Sequence, residues 1–399
     1  MVSYGKGTSP VVCTTRRWKA AAKLQAKLDS NRDFEISILK SLDEHEKEKG
    51  MEPVHIGRFA IGPGMPCFII AEAGVNHNGN LETAFRLIDA AVDAGADAVK
   101  FQTFKTERVM SRCAPKAQYQ IKTTGEDESF FDMAKRLELS FESHRKLVAH
   151  CSERDILFLS TPFDKESADA LEELGVLAFK IPSGEITYLE FVEHIARKGK
   201  PLLISTGMAI LGEVEAAVHA AKRTGNEDLV LLHCVSNYPA DPRDSNLRAM
   251  SCMTEAFKVP VGYSDHSLGI EVALAAVALG ACVIEKHFTL DRSMPGPDHK
   301  ASLEPAELID LVRGIRKVEQ ALGHGRKEPA PSEAEIARVA RKSLVAAEDI
   351  PAGTVLTEEM VAVKRPGTGL VPSLKAFVVG RTARRAIPEG ALLEWEMMM

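Results

Sequence analysis

The chain has 399 residues, 45% of them hydrophobic and 27% charged, enough apolar surface for a large core and far from the compositions of disordered, collagen-like or disulfide-stapled chains. Fifty Lys and Arg face 56 Asp and Glu, for a formal charge of −6, and no stretch is basic enough to track a phosphodiester backbone, so no nucleic-acid partner is expected. No apolar run approaches the ~18 residues of a membrane span, and the first residues show neither a secretory apolar region nor a cleavage site, so a soluble, cytoplasmic protein without a membrane partner is expected. The seven cysteines are scattered and never form a CxxC pair, which argues against a disulfide framework and a zinc knuckle.

Residues 1–54 are polar and charge-rich and read as an extension outside the fold, with Met51 a candidate natural start. The segment IGRFAIGPGMP (56–66) suits a hairpin, its turn at Gly62 to Gly64, closing the bottom of a barrel. From Cys67 onward, eight β-branched runs alternate with alanine- and leucine-rich segments of helical spacing: CFIIAEAG (67–74), DAVKFQTF (97–104), ILFLSTPF (156–163), AFKIPSGE (178–185), PLLISTGM (201–208), LVLLHCVS (229–236), VPVGYSDH (259–266) and CVIEKHFT (282–289). Continuous apolar runs crossed by helices call for parallel strands, and eight of them is the count of a (β/α)8 barrel, predicted over residues 55–322. Residues 323–340 read as a proline- and charge-marked linker, and 341–399 as a small domain of short strands and turns.

Every run ends in polar residues, which a parallel barrel gathers on its C-terminal rim, where barrel enzymes place their active sites. Helix capping explains single Ser or Thr residues there but not a set of histidines, lysines and glutamates. His266 and His287 end the seventh and eighth runs, adjacent strands in a barrel, and can share one divalent ion while leaving positions open; mixed nitrogen and oxygen donors suit Mn2+, Mg2+ or Co2+. Lys100, Lys180, Thr161, Ser183, Ser205 and Ser264 form a donor set matched to the oxygens of a phosphorylated anion. Glu72, Glu185 and Glu285 offer carboxylates for proton transfer or for holding hydroxyls, in roles that spacing does not separate.

The blocks FIIAEAGVNHNG, AVKFQT, LSTPF, FKIPSGE, LISTGM, LLHCVSNYP, GYSDHSLG, IEKHFTLD, MPGPDH with ASLEP, and VKRPGTG together resemble the sialic acid synthase family over residues 55 to 395. The resemblance implies a TIM barrel followed by an antifreeze-like (SAF, β-clip) domain, a domain-swapped homodimer, and condensation of phosphoenolpyruvate with an N-acetylmannosamine-type sugar, the cofactor being a divalent metal, usually Mn2+. By the same resemblance His266 and His287 are metal ligands. Lys100, Thr161, Lys180, Ser183, Ser205 and Ser264 contact phosphoenolpyruvate, and Gln102, Glu185, Tyr238 and Asp298 contact the sugar. Glu72 lies beside the reacting carbons, and Arg365 reaches the N-acyl group from the partner subunit. The loop around APKAQYQ looks more like that of legionaminic acid synthases than of neuraminic acid enzymes, which leaves the sugar open between N-acetylmannosamine and a 2,4-diacetamido-2,4,6-trideoxymannose.

Two other classes stay in view. A Schiff-base aldolase or lyase would use Lys180 on the same barrel. An ice-binding module would need a flat, threonine-bearing apolar face, which a tail carrying KRPGTG and GRTARR lacks.

Overall fold

A computed structural model of the chain describes residues 51–399, in which two compact units, Met51–His324 and Gly325–Met399, are resolved by their internal packing. The extension expected at the N-terminus lies, up to residue 50, outside the described residues.

In the first unit β1 (Val54–Ile56) and β2 (Phe59–Ile61) precede eight parallel strands: β3 (Phe68–Gly74), β4 (Ala98–Thr103), β5 (Leu157–Pro162), β6 (Phe179–Ile181), β7 (Leu202–Ser205), β8 (Leu229–Cys234), β9 (Val261–Asp265) and β10 (Val283–His287). They pair in the order β5-β4-β3-β10-β9-β8-β7-β6, and β5 and β6 lie alongside each other to close the ring. This is the (β/α)8 barrel expected from the eight runs. The helices between the strands carry local signals of their own. In the helix Leu81–Ala94, for example, Asn80 accepts the Thr83 N–H at the start, Gly95 ends it at φ 78°, and Ala84, Leu87, Ile88 and Ala91 face the sheet.

The strands read as unbroken apolar runs because both faces are buried, but their alternation is decisive. Ile69, Ala71, Val99, Phe179, Leu202, Leu231, Tyr263 and Ile284 pack outward under the helices. Phe68, Ile70, Ala98, Leu159, Ala178, Leu203, Leu232 and Val283 point inward and fill the lower barrel. The same inward parity, continued toward the C-terminal ends, delivers Glu72, Lys100, Thr161, Lys180, Ser205, Ser264, Glu285 and His287 to the interior of the upper rim.

The floor is closed by the β1–β2 hairpin, whose Val54, Ile56 and Ile61 join the inward cluster. Its turn is not at Gly62 to Gly64 as expected. The register Ile56 with Phe59 places it at Gly57 and Arg58, with Gly57 at φ 57°, while Gly62 starts a second turn through the Met65 N–H that leads into β3. A two-residue hairpin needs a left-handed residue inside the loop, and Gly57 supplies it. The second unit holds β11 (Ser343–Ala346) antiparallel to β12 (Val361–Lys364), around a core of its own that includes Leu344, Ile350, Leu356, Ile387 and Leu393. Residues 331–340, expected as linker, contain a 3-10 turn and the helix Ala334–Ala340.

Candidate active site

A chamber at the barrel's C-terminal rim is lined by Glu72, Lys100, Gln102, Thr161, Lys180, Ser183, Ser205, Tyr238, Ser264, His266, Glu285 and His287. It brings together twelve side chains singled out from the sequence, eleven of them on or just beyond seven of the eight strands and Tyr238 on the loop after β8. Registers fix who meets whom: Glu72 lies level with both Lys100 and His287, Ser264 with Glu285, and Gln102 with Thr161.

Its centre is a buried charge cluster. Lys100 Nζ lies 2.8 Å from Glu72 and 3.6 Å from Glu285, and donates to Thr161 Oγ1 at 2.9 Å. Lys180 Nζ donates to Ser205 Oγ at 2.6 Å and stands 3.9 Å from Glu285, which also accepts from the Ser264 hydroxyl at 3.0 Å. Burial works against the Lys100 charge, but Glu285 and Glu72 outweigh it and hold its pKa above the ordinary lysine value. At Lys180 burial wins, helped by the Lys100 charge, and its pKa falls. Burial raises Glu72, with Glu285 adding to it, whereas Glu285 between two lysines stays an anion with a lowered pKa despite its burial. Two ammonium groups against one firm carboxylate leave this wall positive, which suits an anion.

Two glycines let the groups converge. Gly74 sits at φ 52° just after a break in the β3–β4 register, and a Cβ there would come within 3.3 Å of Glu72 and 3.5 Å of Gln102 and His287. A Cβ at Gly207 would lie 2.3 Å from Ser236 Oγ and 2.8 Å from Ser183 Oγ; the Gly207 N–H donates to that Ser183 hydroxyl at 3.0 Å. Here glycine is required by close approach of the backbone to the site. Sequence reading passed over Gly74, Gly207, Phe163 and Met208; the only signal was glycine next to polar strand ends.

The histidine pair faces the lysines. The two rings are 5.4 Å apart, and Tyr238 packs 4.2 Å from His266 and 5.4 Å from His287. Val235 carbonyl takes the His266 Nδ1 proton at 2.6 Å, which fixes the tautomer and leaves Nε2 to coordinate, while His287 Nδ1 is buried without a hydrogen-bond partner. Burial lowers His266 to about 4 and His287 well below the ordinary value, the second with the charge of its neighbours adding, so both rings are neutral at pH 7. An orphaned buried ring nitrogen beside a second free one fits a divalent ion, although no cluster of three His, Cys, Asp or Glu ligands exists among the described residues. The remaining coordination positions would fall to water and substrate.

Three expected residues fall elsewhere. Asp298 lines an adjoining side chamber rather than the reaction chamber, and burial raises it to about 6. Glu185 is half-buried on the turn after β6 and lines neither chamber, because Ser183–Glu185 winds into a 3-10 turn. Arg365 belongs to the second unit, where it is exposed and its Nε donates to the Ala340 carbonyl at 3.0 Å. His233, also a strand-end histidine, points outward and bonds the Ser245 carbonyl at 2.8 Å.

Eight parallel strands with convergent acid, base and cationic groups at their C-terminal ends define a (β/α)8 barrel enzyme. Residues 87–327 match the model of the NeuB family and residues 341–399 that of the SAF domain. The chain belongs to the NeuB family. It is 50% identical over 327 residues to the N,N'-diacetyllegionaminic acid synthase of Campylobacter jejuni, covering 82% of this chain and 98% of that one. With the N,N'-diacetyllegionaminic acid synthase of Legionella pneumophila it shares 48% over 339 residues, 84% of this chain and 95% of the relative. Among solved structures, the N-acetylneuraminic acid synthetase of Leptospira borgpetersenii in complex with citrate superposes with a TM-score of 0.64 at 39% identity, over 72% of this chain and 95% of that chain.

Proposed function

We propose that the chain is a phosphoenolpyruvate-condensing nonulosonic acid synthase of the cytoplasm, joining phosphoenolpyruvate to the aldehyde of an N-acylated mannosamine-type sugar and releasing phosphate. The observation that carries this reading is the buried Lys100–Lys180 wall with its hydroxyls, set across one chamber from two neutral histidines. Lys100, Lys180, Thr161, Ser183, Ser205 and Ser264 hold the phosphate and carboxylate of phosphoenolpyruvate, and Gln102 and Tyr238 hold the sugar, with Asp298 further along it.

A divalent ion on His266 and His287, Mn2+ in our reading, supplies electrophilic activation of the aldehyde when bound. C3 of phosphoenolpyruvate forms the new bond to the aldehyde carbon. Glu72, whose raised pKa lets it keep a proton near neutrality, is placed to give that proton to the former aldehyde oxygen. Water then adds at C2 and the C–O bond to phosphate breaks, leaving a 2-keto acid, while the two ammonium groups stabilise the charge leaving on phosphate. Arg365 completes the sugar site from a second copy of the chain in a domain-swapped homodimer, and Glu185 acts from outside the chamber wall.

The test is phosphate release from phosphoenolpyruvate with Mn2+ across a panel of 2-acylamino sugars, using phosphoenolpyruvate labelled in its bridging oxygen. Label in the released phosphate is expected. Label in the keto acid, or turnover unaffected by chelation, would overturn the mechanism, and borohydride trapping of Lys180 with pyruvate would replace it by an aldolase.

A further inference from the structure

Among the described residues that line the reaction chamber, none lies on β8, although each of the other seven strands supplies at least one on or just beyond its end. The inward parity of β8 runs through Val230 and Leu232 and ends on Cys234, level with Ser264 of β9. Cys234 is 4% exposed, so its thiol stands behind the chamber surface. What it meets there is Ser183, which does line the chamber. Cys234 Sγ and Ser183 Oγ are 3.2 Å apart, at hydrogen-bonding distance and with either able to donate. The Gly207 N–H donates to the same Ser183 oxygen at 3.0 Å, and a Cβ at Gly207 would lie 3.0 Å from the sulfur. Thiol, serine and glycine backbone are thus packed together with no room for a larger side chain.

We propose that Cys234 is a positioning residue for phosphoenolpyruvate: its S–H donates to Ser183 Oγ and so turns the single Ser183 proton into the chamber, toward an oxygen of the bound anion. The inference rests on the condensation reading above. A serine hydroxyl accepts two hydrogen bonds and donates one, and the Gly207 N–H fills one acceptor place. Two arrangements remain. With the Ser183 proton on sulfur, the oxygen turns a lone pair to the chamber and repels an anionic oxygen there. With the thiol proton on Ser183, both acceptor places are filled and the hydroxyl gives its own proton to the anion. The positive lysine wall draws an anion to this chamber, and the anion selects the second arrangement. Two neighbouring hydroxyls follow the same rule. Lys100 Nζ donates to Thr161 Oγ1 and Lys180 Nζ to Ser205 Oγ, which leaves both of those protons free for substrate. Ser264 differs, since it gives its proton to Glu285. Cys234 therefore does for Ser183 what the two ammonium groups do for Thr161 and Ser205.

The experiment is calorimetric titration of the full chain with phosphoenolpyruvate, without sugar, for wild type, Cys234→Ala, Cys234→Ser, Ser183→Ala and the double variant Cys234→Ala with Ser183→Ala. Cys234→Ala should weaken binding about fivefold, the size of one neutral hydrogen bond, while Cys234→Ser, which keeps a donor, should stay within about twofold of wild type. Ser183→Ala should weaken it about tenfold. Adding Cys234→Ala to Ser183→Ala should change nothing further, because the thiol acts only through that hydroxyl. Wild-type enzyme saturated with phosphoenolpyruvate should also show, in the infrared, an S–H stretching band at lowered frequency that Cys234→Ser lacks, a readout that does not need the alanine variant to fold. Wild-type binding by a folded Cys234→Ala, an additive loss in the double variant, or absence of the lowered band overturns the inference and leaves the condensation reading standing. Wild-type enzyme that binds no phosphoenolpyruvate defeats both.

Discussion

At the scale of single residues, the chamber works by setting unlike values on like groups. Lys100 and Lys180 sit in one wall, yet the neighbouring carboxylates strengthen the charge of the first while burial weakens that of the second. His287 is the most committed of the metal-competent groups, being buried with an unpartnered Nδ1. His287→Ala should therefore remove measurable turnover and the Mn2+ signal change on titration together, while the thermal melting temperature stays close to wild type; undiminished Mn2+ binding would take the ion away from this pair. A second prediction concerns acid. Burial lowers His77 to about 3 and His299 to about 4, against about 6.5 in an unfolded chain. Their depressed values contribute stability that is present above about pH 6.5 and is lost as pH falls toward 4. Asp298, raised to about 6, acts with the opposite sign between its ordinary value and 6, and is outweighed by the two histidines. The melting temperature should fall steadily between pH 6.5 and 4, and Asp298→Asn should steepen the fall; a flat profile would mean the histidines are charged in the fold.

At the scale of elements, what holds the site is strand register. Lys286 and Asp265 face each other across β9 and β10 on the outer side, each one residue before a chamber histidine, and their side chains meet at 2.7 Å with almost no exposure. Lys286 also donates to the Ser267 carbonyl at 2.5 Å, and Asp265 accepts from the Ser267 N–H at 2.9 Å and its hydroxyl at 2.7 Å. A buried ion pair adds little stability over apolar side chains of similar size, so its value here lies in locking the two strands that carry His266 and His287. Replacing both residues, Lys286→Met with Asp265→Leu, should leave the melting temperature within a few degrees of wild type but weaken Mn2+ binding about 10- to 100-fold. Unchanged Mn2+ affinity in a folded double variant would make the pair purely structural. The same logic explains why the half-buried Glu185 drops out of the chamber: β6 ends at Ile181, and the chain beyond it turns instead of continuing the strand's alternation.

At the scale of the whole molecule, the barrel unit contains the reaction chamber, while Arg365 lies in the second unit with its own core. If the second unit is exchanged between subunits, Arg365→Ala should raise the sugar KM about tenfold or more, the worth of one charge-assisted hydrogen bond, with phosphoenolpyruvate KM little changed. Mixed dimers of Arg365→Ala and His287→Ala chains should regain activity, since one site in each combines an intact barrel with an intact arginine. No recovery on mixing, or full activity of a monomer in sedimentation, would refute the exchange.

The sequence by itself determined the barrel and most of its rim, because parallel strands buried on both faces need continuous apolar runs and leave polar residues only at the ends where catalysis occurs. Eight runs such as FIIAEAG and CVIEKHFT carried that signal without help. Tertiary structure alone decided which strand-end residues face inward, since a side chain's face depends on the strand's parity and on where the strand stops: His233 and Glu185 were indistinguishable from His287 and Glu72 until register was known. It also decided the side chamber, whose wall is assembled from Val75, Phe104 and the helix Phe130–Leu137, residues far apart in the chain whose apolar character reads as ordinary core. Proximity across such distances is a product of the closed barrel, and no local spacing records it.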